Sequence, residues 1–327
     1  MQPHQLHPTT NQDFEAVNRF ILENLHSGVP LVEKIGHYII ESGGKRIRPL
    51  LVLLCARACE KPGTDALNSR HISLAAVIEF IHTATLLHDD VVDTSDLRRG
   101  KATANAKWGN APSVLVGDFL YSRSFQMMVE LGSMEIMNII SNATNVIAEG
   151  EVLQLLNCKN PDVTEENYMK VILGKTAMLF EAATETGAVI AGATTQQQEA
   201  LRLYGRHLGI AFQLIDDVMD YESSSEEMGK NVGDDLAEGK PTLPLIHAMR
   251  EGNEKQRQLI RQAIRKGGLD DLAPISEAVA ETGSIEYTHQ KAREQANLAI
   301  TSLQQIPDSE FKDVMTQLTE MAVSRRS

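Results

Sequence analysis

Apolar positions recur at three- and four-residue intervals along nearly the whole chain. Phe14, Val17, Ile21 and Leu25 form one such row, Leu74, Val77, Ile78 and Ile81 a second, and Ile136, Ile139, Ile140 and Val146 a third. This spacing lines one face of an α-helix. No run shows a convincing period-2 alternation. Breakers separate the rows at Pro30, Gly43–Gly44, Pro62–Gly63, Gly100, Pro112, Pro161, Gly192, Gly267–Gly268, Gly283 and Pro307. The pattern therefore predicts about a dozen helices joined by short loops, an all-α fold. Thr195 with Gln198 predicts a capping box, and Pro112 a helix start. The least helical stretch, Ser223 to Thr242, is polar, contains glycine and carries charges of both signs. It predicts a mobile loop between two helices.

Composition narrows the possibilities. The 31 Lys+Arg face 44 Asp+Glu, a net charge of −13, and an acidic chain without a basic block is a poor partner for nucleic acid. A hydrophobic share of 42% with 23% charged residues is that of an ordinary globular protein. Length alone suggests about two domains of roughly 150 residues. Cys55, Cys59 and Cys158 lie in apolar stretches with no second pair to complete a zinc site, so they read as buried thiols. The opening MQPHQLHPTTNQD has neither the basic nor the apolar region of a secretory leader. The longest apolar run, Leu50 to Ala56, falls short of the roughly 20 residues that span a bilayer. The expectation is a cytoplasmic protein without a transmembrane helix.

One short motif occurs twice, as DDVVD at Asp89, Asp90 and Asp93 and as DDVMD at Asp216, Asp217 and Asp220. On a helix Asp89 and Asp93 project together, as do Asp216 and Asp220, while Asp90 lies about 100° round. Like charges at that spacing destabilise an isolated helix by about 0.2–0.5 kcal/mol. Each trio also follows a long apolar run and so lies late in its helix, where the macrodipole disfavours anions. A solvated helix end would explain one copy. Two copies that break the same local rules point to a hard divalent cation, and Mg²⁺ binds through one or two carboxylates plus substrate phosphates.

Such a ligand needs fixed positive charge. GGKRIRP places Lys45, Arg46 and Arg48 beside a paired-glycine turn, Arg98–Arg99 follow the first Asp cluster, and Lys175, Lys230 and Lys240 each follow a glycine. Glycine leaves the backbone free to approach an anion. Singly these are ordinary surface residues, whereas together they fit a diphosphate site. His82 lies seven residues, about two turns, before Asp89 on the same helix face, and reads either as a core histidine or as a ligand group. His88 adjoins the cluster and could support it.

These motifs, with LLHDDVVDTSDLRRGKATANAKWGN, NVIAEGEVLQL, FQLIDDVMDY and GKNVGDDLAEGKPTLPL, give the chain a resemblance to the trans-type polyprenyl diphosphate synthases over essentially its whole length. The resemblance implies an isoprenoid-synthase bundle around a deep cavity, with the two Asp clusters facing each other. It implies one helical domain, residues 13–327, after a flexible extension of residues 1–12. Three Mg²⁺ are implied, two held by Asp89 and Asp93 and one by Asp216, with Asp90, Asp217 and Asp220 acting directly or through water. By the same resemblance Arg98, Lys175, Lys230 and Lys240 contact the allylic prenyl diphosphate, and Lys45, Arg48, His82 and Arg99 hold isopentenyl diphosphate. Thr176 and Gln213 match residues beside the reacting carbons, and Gln213 could instead orient Lys175 or Asp216.

The implied reaction is ionisation, condensation and elimination, with the released pyrophosphate as base. The Ser223–Thr242 loop is the candidate lid that excludes water. Product length is expected to depend on a tunnel below Asp89, left open by Ala84 and Thr85 and walled by Ile81, Ile78, Val77 and Met127–Met128. Each of these is also an ordinary core residue by pattern. The resemblance implies eight isoprene units for a quinone side chain, with six, seven, nine or ten compatible with the motifs. It also implies a homodimer and a transient membrane contact for product release. A terpene cyclase would replace the second DDxxD, and a non-catalytic partner subunit would lose aspartates or basic residues, which this chain retains.

Overall fold

The computed structural model describes residues 5, 7–61, 67–222 and 233–324. The order is α1 (Pro8–Asn24), α2 (Pro30–Glu41), α3 (Ile47–Cys59), α4 (Arg70–Val92), a hairpin of β1 (Leu97–Arg98) and β2 (Lys101–Ala102), then α5 (Ala104–Trp108), α6 (Asn110–Leu131) and α7 (Met134–Asn157). A π-helical turn (Leu173–Ala177) joins α8 (Glu165–Ile172) to α9 (Met178–Ile190), and α10 (Thr195–Glu222) follows. Further helices occupy Asp234–Ala237, Leu243–Glu251, Glu254–Lys266, Leu272–Glu281, Ser284–Ser302 and Glu310–Val323. The fold is all-α, as the periodicity predicts.

The chain divides into two compact units. The first takes in the residues up to 142 together with 179–205 and 302–318, and the second takes in 143–178, 206–301 and the residues from 319 on. In the first, α4 packs against α6, α3 and α1. Leu74, Val77, Ile78, Ile81 and Ala84 of α4 are completely buried, as is the apolar run Leu50–Ala56 of α3. By length and hydropathy α4 is the candidate membrane span among the described residues, but 72% of its apolar window is buried inside the protein. It is a core helix, a candidate by its length and mean hydropathy rather than by an unbroken apolar run. The second unit is built on two apolar clusters. One gathers Val163, Tyr168, Ile172, Ile210, Leu214, Ile215 and Leu243, and the other Leu236, Leu245, Ile260, Ile264 and Ile275.

Several local expectations shift. Helix α1 begins at Pro8, inside the stretch expected as an extension, because proline suits the first helical position and the His7 ring packs on Phe311 with centroids 4.7 Å apart. The capping box lies one residue earlier, where Thr194 Oγ1 accepts the Gln197 amide at 3.3 Å and Gln197 Oε1 accepts the Thr194 amide at 2.9 Å. Helix α6 starts at Asn110, with Pro112 in its first turn. The hairpin has two residues per strand, too few for alternation to register. A one-turn helix, Asp234–Ala237, lies inside the expected Ser223–Thr242 loop, whose residues 223–232, Lys230 among them, are outside the described residues. Cys55 and Cys59 are buried, and burial pushes both thiols up, Cys59 to about 11, whereas Cys158 is half-buried.

Close helix approach in the first unit depends on Gly205 at the α9–α10 contact. A Cβ there would lie 2.1 Å from Thr184 Oγ1, 2.5 Å from the Phe180 carbonyl oxygen and 2.9 Å from Glu181 Cα. Because two of those atoms are backbone, the helices themselves would have to separate. Gly205→Ala is expected to destabilise the protein by about 1–3 kcal/mol, the usual cost of overpacking. Gly28→Ala, where nothing lies within 4 Å, should leave the thermal midpoint unchanged. Melting curves of the two variants check this.

Candidate active site

In the first unit, α4 ends on the first aspartate trio. Asp89 and Asp90 fall in its last turn and Asp93 is its C-cap, with the Asp93 amide donating to the Asp89 carbonyl at 2.8 Å. Asp89 and Asp93 are half-buried, whereas Asp90 turns inward and is fully buried. Arg98 compensates it, with Nε 2.8 Å and Nη2 2.6 Å from Asp90 Oδ1. The Asn105 side chain donates to the carbonyls of Asp90 and Ser95, both at 3.1 Å, and Thr103 Oγ1 donates to the Ser95 carbonyl at 2.7 Å. These bonds fold the hairpin back onto the end of α4.

The hairpin in turn delivers Arg99. Arg99 and Gly100 both have positive φ, 53° and 74°, the signature of the tight turns whose twist suits a two-residue hairpin loop. The Arg99 guanidinium occupies the space that Gly44 leaves by having no side chain, since a Cβ at Gly44 would sit 2.4 Å from Arg99 Nη1. The two basic motifs, separate in sequence, therefore meet. Nearby, Arg48 Nη1 lies 3.3 Å from His82 Nε2, and its guanidinium stacks 4.4 Å above the Phe180 ring. Burial first, then the charges of Arg48, Arg99 and Arg98, holds His82 well below its usual range. The ring is neutral and can accept from Arg48. Lys45 is exposed beside them. Of the four groups expected on isopentenyl diphosphate, Arg48 and His82 thus meet each other, Arg99 lies against Gly44, and Lys45 is next in chain to Gly44.

Within the second unit, the π-turn carries Lys175 and Thr176. It forms where Gly174 meets Gly150 of α7: a Cβ on Gly150 would be 2.7 Å from the Lys175 amide nitrogen. Such one-turn widenings frequently accompany functional sites. Lys175 Nζ donates to Glu151 Oε2 at 2.6 Å. Thr176 Oγ1 donates to Gln213 Oε1 at 2.9 Å, and Gln213 Nε2 donates to Asp217 Oδ1 at 2.8 Å. The Tyr168 hydroxyl donates to the other Asp217 oxygen. A single chain of hydrogen bonds thereby runs from the π-turn to the second aspartate trio.

That trio divides its work as the first does. Asp217 is buried and committed to Tyr168 and Gln213. Asp220 accepts the backbone amides of Gly233 at 3.2 Å and Asp235 at 3.3 Å, so it fastens the segment that returns after the undescribed residues. Asp216 is half-buried. Burial and the Asp235 charge push Asp217 well up and Asp220 to about 8. Lys240 pairs with Glu238.

These residues suit a hard cation of low protein coordination number. Among the described residues no group of three or more His, Cys, Asp or Glu side chains forms a cage. The donors instead come as carboxylates in ones and twos, the set with which Mg²⁺ combines substrate phosphates and water. Of the expected tunnel residues, Ile81, Ala84 and Met127 are buried, and Thr85 is half-buried with its hydroxyl donating to the His82 carbonyl at 2.8 Å. Met127 also lines a cleft of about 410 Å³ with Asn24, Arg123, Gln126, Val129 and Glu130. Sequence reasoning missed Glu79, Glu151, Tyr168, Asn105 and Asp235. Glu151 lies within NVIAEGEVLQL and Glu79 is a lone charge within AAVIEFI, whereas Tyr168 carries no local signal.

Comparison with known proteins agrees with this reading. Residues 29–281 match the polyprenyl synthetase family. The chain is 55% identical over 326 residues to octaprenyl diphosphate synthase of Escherichia coli (strain K12), covering 99% of each. It is 47% identical over 315 residues to the geranyl-diphosphate-specific all-trans-nonaprenyl-diphosphate synthase of Rhodobacter capsulatus, covering 96% of this chain and 95% of that one. A crystal structure of polyprenyl synthase from Caulobacter crescentus CB15, complexed with calcium and isoprenyl diphosphate, superposes with a TM-score of 0.94 at 43% identity, covering 99% of this chain and 98% of that one. This chain belongs to the polyprenyl synthetase family.

Proposed function

We propose that this protein, a trans-prenyltransferase, extends an allylic diphosphate such as farnesyl diphosphate by repeated 1'-4 condensation with isopentenyl diphosphate to give all-trans octaprenyl diphosphate. The observation that carries the reading is the 55% identity to an octaprenyl diphosphate synthase along essentially the full length of both chains. Residues 13–327 are proposed to act as one cytoplasmic synthase domain making a quinone side chain.

Asp89, Asp93 and Asp216 are the proposed Mg²⁺ ligands, three ions in all. When bound with the substrate diphosphate, the ions supply Lewis-acid stabilisation of the departing pyrophosphate. Asp90, Asp217 and Asp220, each engaged by protein donors, are better suited to positioning than to direct ligation. Arg98, Lys175 and Lys240, with Lys230, are proposed to meet the allylic diphosphate. Lys45, Arg48 and Arg99 would bind the diphosphate of isopentenyl diphosphate, with neutral His82 orienting Arg48. Fixed cations aimed at developing negative charge are expected to supply the largest catalytic effect. Thr176 donates its only proton to Gln213, which leaves its oxygen lone pairs available to an allylic cation. The double bond of isopentenyl diphosphate attacks that cation, and loss of a proton to pyrophosphate sets the new trans double bond.

Support for a homodimer comes from exposed apolar side chains. Val152, Leu155 and Leu156 of the second unit are 58–72% exposed and share a face of α7, and Leu115, Val129 and Met134 are exposed in the first. Apolar surface of this kind suits a second copy. Transient membrane contact during product release remains part of the proposal.

Incubation of the purified protein with farnesyl diphosphate, labelled isopentenyl diphosphate and Mg²⁺, followed by mass analysis, is expected to give an eight-unit product. Failure to extend the primer would refute the proposed reaction, and a nine-unit product would move the length toward that of the nonaprenyl relative. In the same assay Thr85→Phe and Ala84→Phe are expected to shorten the product, since a ring one turn before Asp89 obstructs growth of a chain that advances by about one helical turn, roughly 5 Å, per unit. An unaltered product distribution from both variants would contradict the tunnel.

A further inference from the structure

Arg46 is the unassigned cation of GGKRIRP, and its geometry differs from that of its neighbours. It stands at the N-cap of α3 in the left-handed region, φ 44° and ψ 47°, a conformation that side-chain-bearing residues adopt at a cost unless their surroundings enforce it. Three helices converge on it. Its guanidinium donates to the Asn18 side-chain oxygen on α1 and, at 3.0 Å, to the Ile40 carbonyl on α2. On α4, Glu79 Oε1 lies 3.6 Å from Arg46 Nε.

Glu79 is buried, 7% exposed, and its Oε2 has no hydrogen-bond partner. A buried carboxylate with an unsatisfied oxygen costs free energy. Its compensation is the field of Arg46, Arg48 and Arg99, which draws its carboxyl down against the larger upward push of burial. Glu79 also precedes His82 by three residues, so one turn of α4 presents both the carboxylate facing Arg46 and the ring meeting Arg48.

We infer that Glu79 and Asn18 are positioning residues that hold Arg46 in its left-handed conformation and thereby set Lys45 and Arg48 for the diphosphate of isopentenyl diphosphate. This rests on the function proposed above. The backbone turn at Arg46 fixes the direction in which Lys45 leaves the Gly43–Gly44 turn and the face on which Arg48 enters α3. Release of the clamp frees that turn while every substrate-facing cation remains present. A different role for Glu79 makes the opposite prediction: a mere counter-charge would weaken anion binding, and its removal would tighten the subsite.

Steady-state kinetics with isopentenyl diphosphate varied against saturating farnesyl diphosphate separates these roles. Glu79→Gln removes the charge at constant shape. Asn18→Ala removes the second anchor from a half-buried helical position where alanine is favoured, so it reports even if Glu79→Gln folds poorly. Both variants are expected to raise the KM for isopentenyl diphosphate about tenfold, with kcat and the KM for farnesyl diphosphate within about twofold. The double variant should be little worse than either single one, because both act through Arg46. An unchanged or lower KM in every folded variant, or a rise in only one when both fold, overturns the inference. If the wild-type protein forms no product at all, the proposed function fails instead.

Discussion

Carboxylates at the C-terminal ends of α4 and α10 stand where the helix field and their own mutual repulsion both oppose them. Much of the surrounding chemistry is a response to that constraint. Within each trio some aspartates are engaged by the protein itself: Asp90 is paired with Arg98, Asp217 accepts from Tyr168 and Gln213, and Asp220 from two backbone amides. Asp89, Asp93 and Asp216 are half-buried rather than sunk into the protein, the placement a carboxylate needs to share a cation with a ligand. Burial and the Asp235 charge push Asp217 and Asp220 up, so both favour the protonated form.

The basic side of the site solves the converse problem. Several guanidiniums are brought close by a hairpin turn at Arg99–Gly100 and a glycine at 44. Their repulsion is moderated by a neutral His82, an aromatic face at Phe180 and one buried carboxylate, Glu79. Arg48 and Arg99 are thereby held in place as preorganised donors. Preorganised charge of this sort needs no rearrangement at the moment of reaction. In the second unit the π-turn has the matching role, since it fixes Thr176 and Lys175 through Gln213 and Glu151.

The all-α fold is legible where one apolar face stands against a polar one, as in α1, α2 and α10, and the Asp trios are legible because they repeat and violate local rules. Positive φ at a non-glycine residue leaves no such trace, so the strained turns at Arg46 and Arg99 were invisible. The π-turn depends on Gly150 and Gly174 meeting across different helices, a tertiary fact that no local pattern encodes. Tyr168 looks like an ordinary member of its helix and Glu79 is a lone charge inside an apolar run, and only their partners reveal a role. The Thr194 cap was misplaced by one residue because two threonines stand side by side, and boundary signals do not resolve such neighbours.

The central claim is that the aspartate clusters bind an allylic diphosphate through divalent cations rather than directly. It is tested most directly by calorimetric titration with a non-ionising farnesyl diphosphate analogue, with Mg²⁺ and with chelator. The account predicts that Mg²⁺ tightens binding by about two orders of magnitude, about 2.7 kcal/mol, and that this gain disappears in Asp89→Asn. Equal affinity with and without Mg²⁺ would contradict it.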